Sequence, residues 1–229
     1  MNRVLFRRTK FTLAQHRHDD VLSFKFIQVL PVTGTLGAEV EGVDLTKPVP
    51  PPVVDEIHAA FLQYGVLFFR GQHGLTPHAH LAFARLFGSI GHQRDLARNG
   101  TQTTASCTPR LWARLGTASA AMTYEKGHDN SVVHPVVTIH PETGKRVLFV
   151  NPMFTQCFEH MTVRIVHESS PILSMLYGKA FRPEHQCRFR WSPGSVAFWD
   201  NRRLQHVAIN DNVVSRRVMH RITIQGGVP

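Results

Sequence analysis

The stretch FWDNRRLQHVAIND, residues 198–211, packs two aromatics, two acids, two arginines and a histidine into what reads as the end of a strand. Upstream, SVAFWDN (195–201) alternates so that Val196 and Phe198 face one way, the signature of a half-buried strand. Downstream, INDN supports a turn, and SRRVMHRITIQ (215–225) returns as a second strand, with Arg217, Met219, Arg221 and Thr223 on one side. His206 is thereby a candidate metal ligand beside two arginines. Four residues of strand separate those guanidinium groups by roughly 13 Å at about 3.3 Å per residue, enough for two different anions. Each planar fork matches a carboxylate or sulfonate with paired hydrogen bonds.

Working outward, FIQVLPVTGTLGAEV (26–40) mixes β-branched residues with Gly and Pro and predicts short strands joined by tight turns. In VVDEIHAAFLQYG (53–65), Val53, Ile57, Ala60, Phe61 and Tyr64 recur at helical spacing, Asp55 and Glu56 suit the positive helix start, and Gly65 stops the helix. VLFFR (66–70) is a compact apolar run that predicts a buried strand. A second helix is expected after Thr76 as cap and Pro77 at its first position, with Gly88 closing it; His78 and His80 read as solvated residues there. HPVVTIH, PETGK and RVLFVN (134–151) form a hairpin signal, SPILSMLYG a short helix capped by Ser170 with Pro171 first, and HQCRFRW (185–191) another strand. Residues 93–131 read mainly as loop. Together these give a mainly antiparallel sheet system buttressed by two helices.

A hydrophobic content of 42% with 18% charged residues is that of a globular chain, and its length suits one domain. The expected division is a basic tail over 1–25 followed by a single domain over 26–229. No apolar run is long enough to span a bilayer. The formal charge of +10 favours acidic partners, yet the bases are scattered and no nucleic-acid motif appears, so small anions are expected and specific nucleic-acid or membrane partners are not. A homo-oligomer is left open. Cys107, Cys157 and Cys187 suit neither a disulfide framework nor a C-x-x-C site, which points to a reducing, cytoplasmic setting. The base-rich, acid-poor start is the ground for the alternative, a mitochondrial presequence.

WDNRRLQH, the arginines of RRVMHR, the segment HPVVTIHPETGKRVLFVN, and LGAEVEGVDLTKP with GVLFFRGQ closely resemble the TauD/TfdA family of iron(II)- and 2-oxoglutarate-dependent dioxygenases, over about residues 29–92 and 132–229. The resemblance implies a double-stranded β-helix, or jelly roll, with strands that can be missing here. It implies that His206 is the distal histidine of a two-histidine, one-carboxylate metal site that leaves positions open for 2-oxoglutarate and oxygen. Arg217 would grip the far carboxylate of 2-oxoglutarate. Arg221 would hold a substrate sulfonate, with Phe154 and His92 as further substrate contacts. The implied reaction converts 2-oxoglutarate to succinate and carbon dioxide while hydroxylating the carbon next to a sulfonate or sulfate.

One part of the pattern is missing. The W-H-x-D segment that carries the family's other two ligands should fall within 93–131, where the only histidine is His128, directly followed by Asp129. The interval is also short, and if Leu111 and Trp112 are the family's Leu-Trp pair, Arg110 stands where a threonine is expected. His18-Asp19-Asp20 has H-x-D spacing but precedes the first strand. A deletion or altered frame, a degenerate non-catalytic homologue, and recruitment of His128 with Asp129 remain the three explanations. A lone histidine without the carboxylate would hold iron weakly.

Overall fold

The computed structural model describes residues 22–91, 119–123, 131–159, 166–209 and 218–226. Their order is β1 (Gln28–Pro31), β2 (Ala38–Glu41), α1 (Pro51–Tyr64), β3 (Val66–Phe69), α2 (Pro77–Arg85), β4 (Ser119–Thr123), β5 (Ser131–Pro135), β6 (Val137–Ile139), β7 (Arg146–Leu148), β8 (Thr155–Phe158), α3 (Val166–Ala180) and β9 (Val196–Trp199), with a 3-10 turn at Pro183–His185. The strands form a four-stranded sheet β1-β2-β3-β9, a three-stranded sheet β5-β4-β8 and the hairpin β6-β7. In the first sheet β2 and β3 run parallel, joined by α1, and the other pairs are antiparallel. The described strands do not close into a barrel.

β3 explains the architecture around the site. All four of its residues are buried. Leu67 and Phe69 enter a core with Val40, Ile57, Phe61 and Phe83, whereas Val66 and Phe68 pack on the opposite face with Leu204, Trp199 and Phe189. A strand covered on both faces must be apolar throughout, which is why VLFF shows no alternation. β9 pairs with it as Val66↔Trp199, Leu67↔Phe198, Phe68↔Ala197 and Phe69↔Val196. As expected, Val196 and Phe198 share one face, and Phe198 stacks on Phe61 with centroids 4.2 Å apart.

Both early helices form where periodicity places them. Thr76 caps α2 by accepting from the Ala79 N–H at 3.1 Å, with Pro77 at the first position; the helix ends at Arg85 with Leu86 as its C-cap, before Gly88. Gly65 follows α1 at φ +75°, and its N–H donates to the Phe61 carbonyl at 2.8 Å. Because α1 begins at Pro51, Asp55 and Glu56 fall beyond its first turn. Glu56 instead accepts the backbone N–H groups of Lys25, Phe26 and Ile27 at 2.7, 2.9 and 3.1 Å, tying the entering chain to the helix. Burial opposes the charge of Glu56, but those three donors hold its carboxyl below the ordinary value.

Four local readings are corrected. Among the described residues three α-helices form, one of them longer than expected: α3 contains Pro171 inside it. Burial of Ser169, Leu173 and Leu176, with Ser169 Oγ accepting from the Phe158 N–H, keeps the helix despite proline's lost N–H. HQCRFRW joins no strand ladder: His185 ends the 3-10 turn, Phe189 stacks on Phe68 at 4.1 Å, and Arg70 donates to the Arg190 carbonyl at 3.1 Å. Its alternation records packing of Phe189 and Cys187, not sheet pairing. Within the interval read mainly as loop, β4 is a strand between β5 and β8. The last segment shows, among the described residues 218–226, one isolated bridge, Ile90↔Ile224.

Candidate functional site

The chain leaves β9 at Trp199 and turns sharply. The Asp200 N–H donates to the Gly65 carbonyl at 2.9 Å, and the Asp200 carbonyl accepts from Arg203 and Leu204 at 3.2 and 3.0 Å. Arg203 then reaches back across the sheet. Its Nη1 donates to the Leu62 carbonyl at 2.8 Å and its Nη2 to the Gln63 carbonyl at 3.3 Å, closing the carbonyl end of α1 with a cation where the helix dipole is negative. A Cβ on Gly65 would stand 2.7 Å from the Arg203 guanidinium, so that position needs glycine both for its backbone angle and for this approach.

Asp200 is the centre of a buried polar network. Oδ1 accepts from the backbone N–H and Nε of Arg202, both at 2.9 Å; Oδ2 accepts from Arg202 Nη2 at 2.9 Å and lies 2.8 Å from His140 Nε2. Arg202 also pairs with Glu142, whose other oxygen is 2.8 Å from His58 Nε2 on α1. Burial alone would raise the Asp200 carboxyl, but the hydrogen bonds and charge of Arg202, together with His140, hold it below the usual carboxylate value. Burial lowers the Arg203 guanidinium's affinity for its proton, with Asp200 opposing that shift.

Of the predicted residues, the turn delivers His206, and Arg221 of the last segment meets it. Trp199 is its platform: the His206 ring lies 4.9 Å from it and the Arg221 guanidinium 5.8 Å from its centroid. Desolvation and the Arg221 charge push the His206 imidazole below the ordinary histidine value. His206 and Arg221 are thus brought together. Gln205 donates to the Val150 carbonyl at 2.6 Å, so the turn bearing half-buried Phe154, anchored at Asn151, begins beside the residue preceding His206. His92, Arg217, His128 and Asp129 lie outside the described residues. The chain just before His92 is nevertheless tied next to Arg221, with Gly91 N–H donating to Thr223 at 2.9 Å and Gln225 N–H to Ser89 at 2.7 Å. His80, read as a solvated residue, is half-buried, and burial and the charge of His220 push its imidazole down.

Asp200, Arg202 and Arg203 lie inside the motif that marks His206 yet carry no predicted role, and neither does His140. Proximity in sequence signals the first three; the fourth is 60 residues from Asp200 and only pairing in space reveals it. A surface groove of about 290 Å³ beside Glu39 and Arg70 contains none of the predicted residues. Among the described residues no three His, Cys, Asp or Glu side chains gather to hold a metal ion. The described donors therefore do not complete an iron site around His206.

Residues 28–106 and 108–223 match the family described as taurine catabolism dioxygenase TauD, TfdA family. The chain belongs to this family of iron(II)- and 2-oxoglutarate-dependent dioxygenases, a class of oxidoreductases. Among its relatives, an alkylsulfatase of Acinetobacter baylyi is 28% identical, over 88% of this chain and 86% of the relative. An alpha-ketoglutarate-dependent sulfate ester dioxygenase of Pseudomonas putida is 26% identical, over 89% and 91%. The first alignment runs over 276 positions against 229 residues here, so the alkylsulfatase has segments with no counterpart in this chain. In structure, a taurine dioxygenase of Burkholderia xenovorans superposes with a TM-score of 0.66 at 31% identity, covering 78% of this chain and 82% of the other.

Proposed function

We propose that this chain is a dioxygenase that hydroxylates the carbon bearing a small sulfonate, sulfate ester or related anion, with succinate and carbon dioxide formed from 2-oxoglutarate. The observation that carries the reading is the meeting of His206 and Arg221 over Trp199. Arg221 binds the sulfonate, whose single charge and three oxygens suit a guanidinium fork. Phe154 and His92 complete the substrate pocket, Arg217 binds the distal carboxylate of 2-oxoglutarate, and the jelly roll is the frame on which these residues converge. Iron, when bound, would supply oxygen activation; this chain's own residues supply binding and orientation.

The alternative is a family member that binds the anion without turnover. It is favoured by a specific observation, the absence of any H-x-D triplet within residues 93–131. One experiment separates them. The full chain is loaded anaerobically with iron(II), supplied with 2-oxoglutarate, oxygen and taurine or a short alkyl sulfate, and assayed for succinate, while taurine binding is measured by calorimetry. Substrate-stimulated succinate supports the dioxygenase. Binding that Arg221→Ala abolishes, without succinate, supports the non-catalytic reading, and neither binding nor succinate overturns both.

A further inference from the structure

We infer that His140 is a positioning residue for the site: through Asp200 it fixes the turn that sets His206 against Trp199. Its Nδ1 accepts from the backbone N–H groups of Glu142 and Thr143 at 3.3 and 3.1 Å, so Nδ1 carries no proton. The ring proton is therefore on Nε2, aimed at Asp200 Oδ2 at 2.8 Å. His140 is itself immobilised: it is 2% exposed, its N–H donates to the Lys145 carbonyl at 2.8 Å, and its carbonyl accepts from Gly144 at 2.9 Å. The β6–β7 hairpin thus presents one fixed donor to the carboxylate.

Asp200 transmits that constraint in both directions. Its side chain is filled by three bonds from Arg202 and one from His140, and its carbonyl holds the N–H groups of Arg203 and Leu204. Withdrawing the His140 donor leaves a buried carboxylate oxygen short of a partner, with only Arg202 to set its rotation. Arg202 is itself shared with Glu142, so a rotated Asp200 drags the turn toward that side. The far end of the turn carries Gln205 and His206, and the place of His206 is read out by its 4.9 Å approach to Trp199. The inference rests on the dioxygenase reading only for why the place of His206 matters.

Two substitutions divide the functions of the imidazole. His140→Gln keeps an N–H donor that reaches Asp200, whereas His140→Asn keeps an acceptor for the hairpin N–H groups but has no donor long enough. In ¹⁵N-histidine-labelled full-length protein, the His206 ring signal is identified by its loss in His206→Gln, and the indole ring current displaces its ring protons. His140→Asn is expected to lose that displacement while near-ultraviolet circular dichroism reports a folded chain, and His140→Gln is expected to restore it. An unmoved His206 signal in His140→Asn, or an equal loss in His140→Gln, overturns the inference, because a merely structural histidine would lower stability without moving His206. If His140→Asn fails to fold, Asp200→Asn replaces it: its amide cannot accept from both Arg202 and His140, so the same loss is expected and an unmoved signal overturns the inference. Lack of succinate from the wild-type chain would refute the dioxygenase reading and leave this comparison of signals intact.

Discussion

Asp200 and His206 occupy one short turn but opposite environments. Asp200 is 3% exposed, fully hydrogen-bonded, and backed by the end of α1; His206 is exposed, resting on Trp199 beside Arg221. The near end carries charge that the fold needs, and the far end carries the imidazole to which the proposed function gives a ligand-binding role. The difference teaches that the motif WDNRRLQH holds two devices in tandem, an anchor and a presented histidine that Arg221 of the last segment joins over Trp199, and that a substitution should reveal which device it touches.

The sharpest break in that division is Asp200→Ala, which leaves Arg202 with Glu142 as its one acidic partner and removes the carboxylate whose charge offsets the burial of Arg203. It should cost about 3–5 kcal/mol, read from urea unfolding. The same carboxylate gives a pH signature. Its folded value lies below the unfolded one, so its contribution is complete above about pH 4 and is lost as pH falls through the lowered folded value. Asp200→Asn should flatten stability over that acid range relative to wild type. Gly65→Ala comes next: it places a methyl against the Arg203 guanidinium at positive φ and should cost about 2–3 kcal/mol.

Smaller effects test the contrast elsewhere. Thr76→Ala, remote from the turn, should cost about 1 kcal/mol through the lost α2 cap and leave anion binding unchanged. Arg221→Ala belongs to the presented end and should change stability by less than about 0.5 kcal/mol. Its effect should appear instead as weakened taurine binding by calorimetry; a large stability loss with intact binding would erase the division between anchor and presented pair.

The sequence was most readable where one local force decides. α1 and α2 follow apolar spacing and caps, and β3 follows from an apolar run bounded by glycines. It was less readable where tertiary burial overrides a local rule, as at Pro171 in α3, or where alternation records side-chain stacking without a ladder, as at Phe189. The motif located His206 and Arg221, which meet over Trp199. His140 escaped because its part depends on which hairpin faces Asp200, a relation that no local pattern encodes.

The closing of α1 by Arg203 has a consequence for how the chain is made. Arg203 and Leu62 are 141 residues apart, and the same late segment supplies β9 to the open side of β3. At about 5–20 residues per second, the ribosome needs on the order of ten seconds to make that interval. Through that time VLFF has its outer edge unpaired, and a flat apolar edge is the kind of surface on which nascent chains aggregate. Synthesis of this protein therefore passes through a sticky half-built sheet, and slowing translation between β3 and β9 should lower its soluble yield.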